Sequence, residues 1–171
     1  SYNEKTDSFD NLMPDDFHET YFKSITGFYE DEKDLWVSTT NGMYAYDDQK
    51  KKFAQHPAMS DSIMQFFISS VEIDKFGRFL CGYYLGVILF DENGKHLEEY
   101  DELLSFGSIV SQIVKLDEQH FLVSSFVDGV WIISIEDDGS IAKPVRHKTP
   151  FRNVTSVLRD SRGEFWFGTG G

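Results

Sequence analysis

Four aspartates, Asp31, Asp74, Asp117 and Asp160, stand 43 residues apart along the chain. A fixed period of about 40–45 residues marks an architecture that stacks one supersecondary unit on the next. The surrounding text repeats as well. Asp34-Leu35-Trp36-Val37-Ser38-Thr39 lines up with Arg78-Phe79-Leu80-Cys81-Gly82-Tyr83, with His120-Phe121-Leu122-Val123-Ser124-Ser125, and with Glu164-Phe165-Trp166-Phe167-Gly168-Thr169. A glycine and an apolar residue follow at Gly42-Met43, Gly86-Val87 and Gly129-Val130.

Each unit reads as four short strands. In the second, Ile68–Ile73 alternates, Phe76-Gly77 turns, and Arg78–Tyr84 and Gly86–Phe90 are two further strands. The Asn93-Gly94 pair signals a hairpin, after which His96–Tyr100 is expected to return as the outer strand. No helical apolar period is sustained. Four strands per unit at this period predict an all-β chain, a β-propeller fragment of about 3.5 four-stranded blades with a 43-residue repeat. Residues 1–24 read as the end of a preceding blade and its connection. Residues 25–171 read as propeller repeats, with blades at about 25–66, 67–107 and 108–152 and a partial blade at 153–171. The chain thus reads as starting and ending inside blades, as an internal piece does.

The repeat accounts for several residues without chemistry. Trp36 and Trp166 share a position with Leu80 and Leu122, which predicts packing between blades. The periodic aspartates are expected to cap turns by accepting backbone N–H bonds. Cys81, the single cysteine, sits in an apolar run and reads as a small buried hydrophobe, and one cysteine permits no internal disulfide.

Charge excludes some partners. Sixteen basic residues against 29 acidic ones leave a net charge of −13, and residues 1–34 alone carry −7. Such a surface repels phosphate backbones and anionic lipid, so neither nucleic-acid nor membrane contact is expected of this segment. No apolar run approaches the roughly 20 residues of a membrane-spanning helix. The five histidines show no metal-ligand spacing, and no nucleophile elbow or phosphate loop occurs. No catalytic residue, metal site or cofactor is assigned.

The run Asn153-Val154-Thr155-Ser156-Val157-Leu158-Arg159-Asp160-Ser161-Arg162-Gly163-Glu164-Phe165-Trp166-Phe167-Gly168-Thr169 resembles the two-component regulator propeller repeat. The first unit matches the same pattern with Asp31, Leu35-Trp36, Ser38-Thr39, Gly42-Met43 and Tyr46-Asp47; the second and third replace Trp by Leu80 and Leu122. The resemblance covers residues 25–171. It implies a periplasmic sensor region of a hybrid two-component system. There, propellers precede a membrane span and a histidine kinase, and the parent senses oligosaccharides and regulates transcription. A protein-interaction scaffold is the alternative, and a propeller hydrolase or lyase a more distant one.

Propeller geometry gathers the loops between second and third strands, and those between blades, at one end of the central channel. These contribute Asn41, Tyr83, Tyr84, Asp128, Arg152 and Asn153, the candidate ligand-binding residues. Aromatic rings beside planar polar groups suit a sugar, with its apolar faces and hydroxyl rim. Open blade edges also predict packing against other blades of the same propeller or against a second copy, a homodimer.

Overall fold

The computed structural model describes residues 2–13, 24–30, 35–40, 42–55 and 67–170. A small hairpin, β1 (Tyr2–Asn3) and β2 (Ser8–Phe9), comes first. The first blade is the antiparallel sheet of β3 (Ile25–Glu30), β4 (Leu35–Thr39), β5 (Gly42–Asp47) and β6 (Lys52–Gln55), in sequence order. The second has β7 (Ser70–Ile73), β8 (Phe79–Gly82) and β9 (Val87–Phe90). The third has β10 (Val110–Lys115), β11 (His120–Ser125), β12 (Gly129–Ser134) and β13 (Val145–His147). β14 (Val154–Arg159) and β15 (Phe165–Thr169) follow as a two-stranded sheet.

The first strands of the blades lie side by side, β3 against β7, β7 against β10 and β10 against β14. This is the propeller arrangement, with the first strand of each unit nearest the axis. Side chains stitch these strands laterally at close to one repeat. Thr26 Oγ1 donates to the Ile68 carbonyl at 2.5 Å, and Ser70 Oγ accepts from the Ile113 amide at 3.0 Å. Gln112 Oε1 accepts from the Val157 amide at 2.8 Å, and Arg159 Nη1 donates to the Leu116 carbonyl at 2.9 Å. Register shifts at Ile25/Gly27, Val110/Gln112 and Val154/Ser156 place a bulge at the same point of three first strands. The bulge turns a hydroxyl toward the partner strand. Thr26 Oγ1 lies at hydrogen-bond distance, 3.0 Å, from Ser38 Oγ, and Thr155 Oγ1 donates to the Gly168 carbonyl at 3.1 Å.

The apolar core lies in the seams between blades. Trp36 and Met43 of the first blade meet Val71, Phe79 and Cys81 of the second, with Trp36 edge-on to Phe79 at 5.3 Å. Leu80, Val87 and Leu89 then meet Ile113, Phe121 and Val123. Leu122 and Val130 meet Val154 and Val157. Each fully buried Leu or Phe in such a seam contributes roughly 1.5–3 kcal/mol. The Cys81 thiol is buried, its ionisation suppressed by desolvation.

The aspartates cap turns where the structure describes them. Asp74 Oδ1 accepts from the Phe76 and Arg78 amides at 2.8 and 2.9 Å, and Asp117 Oδ1 accepts from Gln119 and His120. Asp160 Oδ1 accepts from Arg162 and Glu164, while its Oδ2 accepts from the Trp166 indole at 3.1 Å. The indole bond leads the contacts that hold the Asp160 carboxyl below its usual range. Asp31 lies outside the described residues.

Two expectations need correction. His96–Tyr100 is not an outer strand: His96 makes a single bridge to Phe90, and the chain then winds into a 3-10 turn at Glu98–Tyr100 and one helical turn, α1 (Asp101–Leu104). Leu97, Tyr100, Leu103 and Leu104 recur at helical spacing and pack into the seam between the second and third blades. Glu98 and Glu99 lie in the first turn, where the helix dipole favours them. Trp166 does not repeat the burial of Trp36. It is 56% exposed and Leu158 65%, because no further blade lies against them among the described residues.

Candidate functional site

The loop end is best defined around the third blade. Ser125 Oγ accepts from the Val127 and Asp128 amides at 3.1 and 2.9 Å, which folds the turn between β11 and β12. A hydrogen bond between Ser108 and Ser125 ties that hydroxyl to the connection leading into β10. Gly129 closes the turn at φ +81°, and a Cβ there would come within 2.9 Å of Thr149 Oγ1. Glycine is therefore what lets the connection to the next blade lie down over the turn. Thr149 Oγ1 donates to the Phe151 carbonyl at 2.5 Å, and the Phe151 ring packs on Phe167 at 5.1 Å.

Asp128 and Arg152 consequently share a cleft of about 430 Å³, walled also by Arg146, His147, Lys148, Thr149 and Phe151. Within it, Arg146 Nη2 meets Asp128 Oδ1 at 3.2 Å, and Arg146 Nε donates to the Asp128 carbonyl at 2.9 Å. The other candidates are placed elsewhere. Asn153 belongs to the start of β14: its carbonyl accepts from Gly170 at 2.9 Å and its side chain reaches the Gly170 carbonyl at 3.5 Å. Asn41 lies outside the described residues.

Tyr83 and Tyr84 form an edge-to-face pair at 5.1 Å on the turn between β8 and β9. Tyr83 packs into the seam between the first and second blades, and its carbonyl accepts from the Val110 amide at 3.0 Å. Burial, followed by the nearby Asp101 charge, pushes the pKa of its hydroxyl above the usual tyrosine value and so suppresses its ionisation. Tyr84 is 48% exposed and offers a ring face to solvent. The turn is held close to the next blade's connection: Leu85 O accepts from Phe106 and Gly107 at 2.8 and 2.9 Å.

Along the axis, Thr26, Ser38, Ser69, Ser70, Ser111, Gln112 and Thr155 line a second cleft of about 340 Å³. The spacing of Thr26, Ser69, Ser111 and Thr155 at close to one repeat is the sequence signal for this polar wall. Its hydroxyls are spent on internal bonds, such as Ser69 Oγ to the Gly82 carbonyl at 3.1 Å and Ser111 to Ser124 at 2.8 Å. This cleft is framework, whereas the Asp128–Arg152 cleft presents unspent charge. Among the described residues, no group of three or more His, Cys, Asp or Glu side chains is placed to hold a metal ion.

Residues 150–171, which include β14 and β15, match the model of the two component regulator propeller. The chain's last sheet is similar to the two-component regulator propeller repeat. In this repeat the Asp160 cap and Trp166 are joined by the indole hydrogen bond already described. The fold is similar to the extracellular domain of BT3049 from B. thetaiotaomicron, assigned as a hybrid two-component system. That match has 21% identity, a TM-score of 0.63, and covers 85% of this chain and 20% of that one. The extracellular domain of BT4673 from the same organism, assigned as a one-component system, matches at 16% identity and TM-score 0.60, again over 85% and 20%. Virginiamycin B lyase from Staphylococcus aureus matches at 14% identity and TM-score 0.57, over 86% of this chain and 49% of the lyase. The chain thus spans about a fifth of the length of the two extracellular domains. No curated protein sequence matches it. Among the described residues no helix is long and apolar enough to cross a membrane.

Proposed function

We propose that the chain is a ligand-sensing, non-catalytic segment of a periplasmic propeller in a two-component sensor, with an oligosaccharide as its ligand. The observation that carries this reading is the regulator propeller repeat at residues 150–171, within a fold shared with extracellular domains of such systems. Ligand taken up at the loop end would favour one arrangement of blades and partners. It would bias a histidine kinase across the membrane, and hence transcription, by its differential affinity for the two arrangements. The exposed Leu158 and Trp166 face is the contact for further blades of the same propeller or for a second copy.

The lyase neighbour shows that the same fold also serves catalysis, so the test must separate binding from turnover. Calorimetry of the full protein against a panel of defined glycans, with chromatography of each mixture afterwards, does so. Binding of a glycan that is recovered intact is the expected result. Cleavage would overturn the sensor reading in favour of an enzyme, and no binding across the panel would favour a scaffold.

A further inference from the structure

Between Asp138 and Asp160 the chain has no acidic residue, yet that stretch holds Lys143, Arg146, Lys148, Arg152 and Arg159, with His147 among them. In a chain of 29 acidic and 16 basic residues this is a reversal of sign. Folding concentrates it, because Arg146, His147, Lys148 and Arg152 all wall the 430 Å³ cleft at the loop end. Elsewhere Lys50, Lys75, Arg78, Lys115 and Arg162 each sit on a carboxylate. In the cleft the single acid, Asp128, is taken by Arg146. His147, Lys148 and Arg152 are exposed and have no side-chain partner among the described residues.

We propose that this cleft binds an anionic group, a carboxylate or sulfate carried on the sensed saccharide, a proposal that rests on the ligand-sensing reading above. Unpaired cations in a water-accessible cleft raise the local concentration of anions even when the remaining surface is acidic. The planar fork of Arg152 matches the two oxygens of a carboxylate or sulfate, Lys148 adds a point charge, and Phe151 supplies an apolar wall for a ring. Asp128, pinned by its turn, holds Arg146 in place through its carboxylate and its carbonyl.

The test is calorimetry on the full chain with four probes: a sulfated uronic-acid disaccharide, the same disaccharide desulfated, a neutral disaccharide, and inorganic sulfate. The anionic disaccharides are expected to bind in preference to the neutral one. Their affinity should fall as salt rises from about 50 to about 500 mM. Lys148→Gln with Arg152→Gln should weaken them about tenfold or more, with the circular dichroism spectrum unchanged. The sulfated and desulfated arms tell a sulfate from a carboxylate. Neutral and anionic disaccharides binding alike, or a double variant that binds as before, would overturn the anion site while leaving glycan sensing intact. Inorganic sulfate bound alone and lost in the double variant would uphold the anion site and remove the saccharide.

Discussion

Glu72 Oε1 accepts a hydrogen bond from the amide of Lys115, one repeat further along the chain, at 3.3 Å. Burial pushes the Glu72 carboxyl from 4.5 up to about 6, with the Lys115 amide opposing the shift. A group with a raised folded pKa contributes stability that is complete below the unfolded value and is lost as pH rises through the folded one. Glu72 should therefore weaken the fold progressively from about pH 4.5 to pH 6 and above. Glu72→Gln keeps an oxygen acceptor for Lys115 and removes the titration. Urea unfolding should show the variant about 1–2 kcal/mol more stable than the parent at pH 7.5, with the gap closed at pH 4. A gap that does not change with pH would refute this.

Asp74 is fully buried at its side chain, caps its turn, and grips Arg78 Nε at 2.7 Å. Arg78 in turn donates to the Gly139 carbonyl of the third blade at 2.8 Å. Asp74→Ala strips two backbone amides of their acceptor and leaves a buried guanidinium without its counter-charge, a loss of about 3–5 kcal/mol. Asp74→Asn retains the amide acceptor and should cost less. Chemical denaturation ranks the three proteins, and equal midpoints would show that the pair does not hold the turn.

Gly86 has φ +149°, and a Cβ on it would collide with the Leu104 carbonyl oxygen. Gly107, at φ +65°, has open space around it. Gly86→Ala should destabilise by more than about 2 kcal/mol because backbone must move, while Gly107→Ala should cost only the left-handed conformation, about 1 kcal/mol. Thermal melts of both variants check the order.

Leu158 and Trp166 occupy the face whose counterparts Trp36, Leu80 and Leu122 are at most 6% exposed. An apolar face of this kind draws association. The chain should self-associate at micromolar concentration by light scattering, and Leu158→Lys with Trp166→Lys should reduce that mass toward the monomer. A parent chain that stays at 19.7 kDa on concentration would refute this.

The spacing of the aspartates was enough to read the blades because the same spacing recurs in space, as lateral bonds such as Ser70 to Ile113. In the second blade the Asn93-Gly94 turn points to a returning outer strand, whereas the Leu97, Tyr100, Leu104 periodicity is helical and prevails in the fold. At the loop end, Asp128 and Arg152 wall one cleft, while the Asn153 carbonyl pairs with Gly170 just ahead of β14. The cationic wall was legible as a run without acids, yet a net charge taken over the whole chain conceals it.

The lateral bonds between first strands have a mechanical consequence. Within a blade, sliding one strand past another breaks a ladder of backbone bonds, whereas the seams between blades are held by non-directional apolar packing, side-chain links such as Thr26 to Ile68 and Gln112 to Val157, and isolated backbone bonds such as Val110 to Tyr83. The molecule is therefore stiff along each sheet and compliant at each seam, like a fan whose ribs outlast its folds. A wedge driven in at the loop end would open a seam before it disturbed a rib.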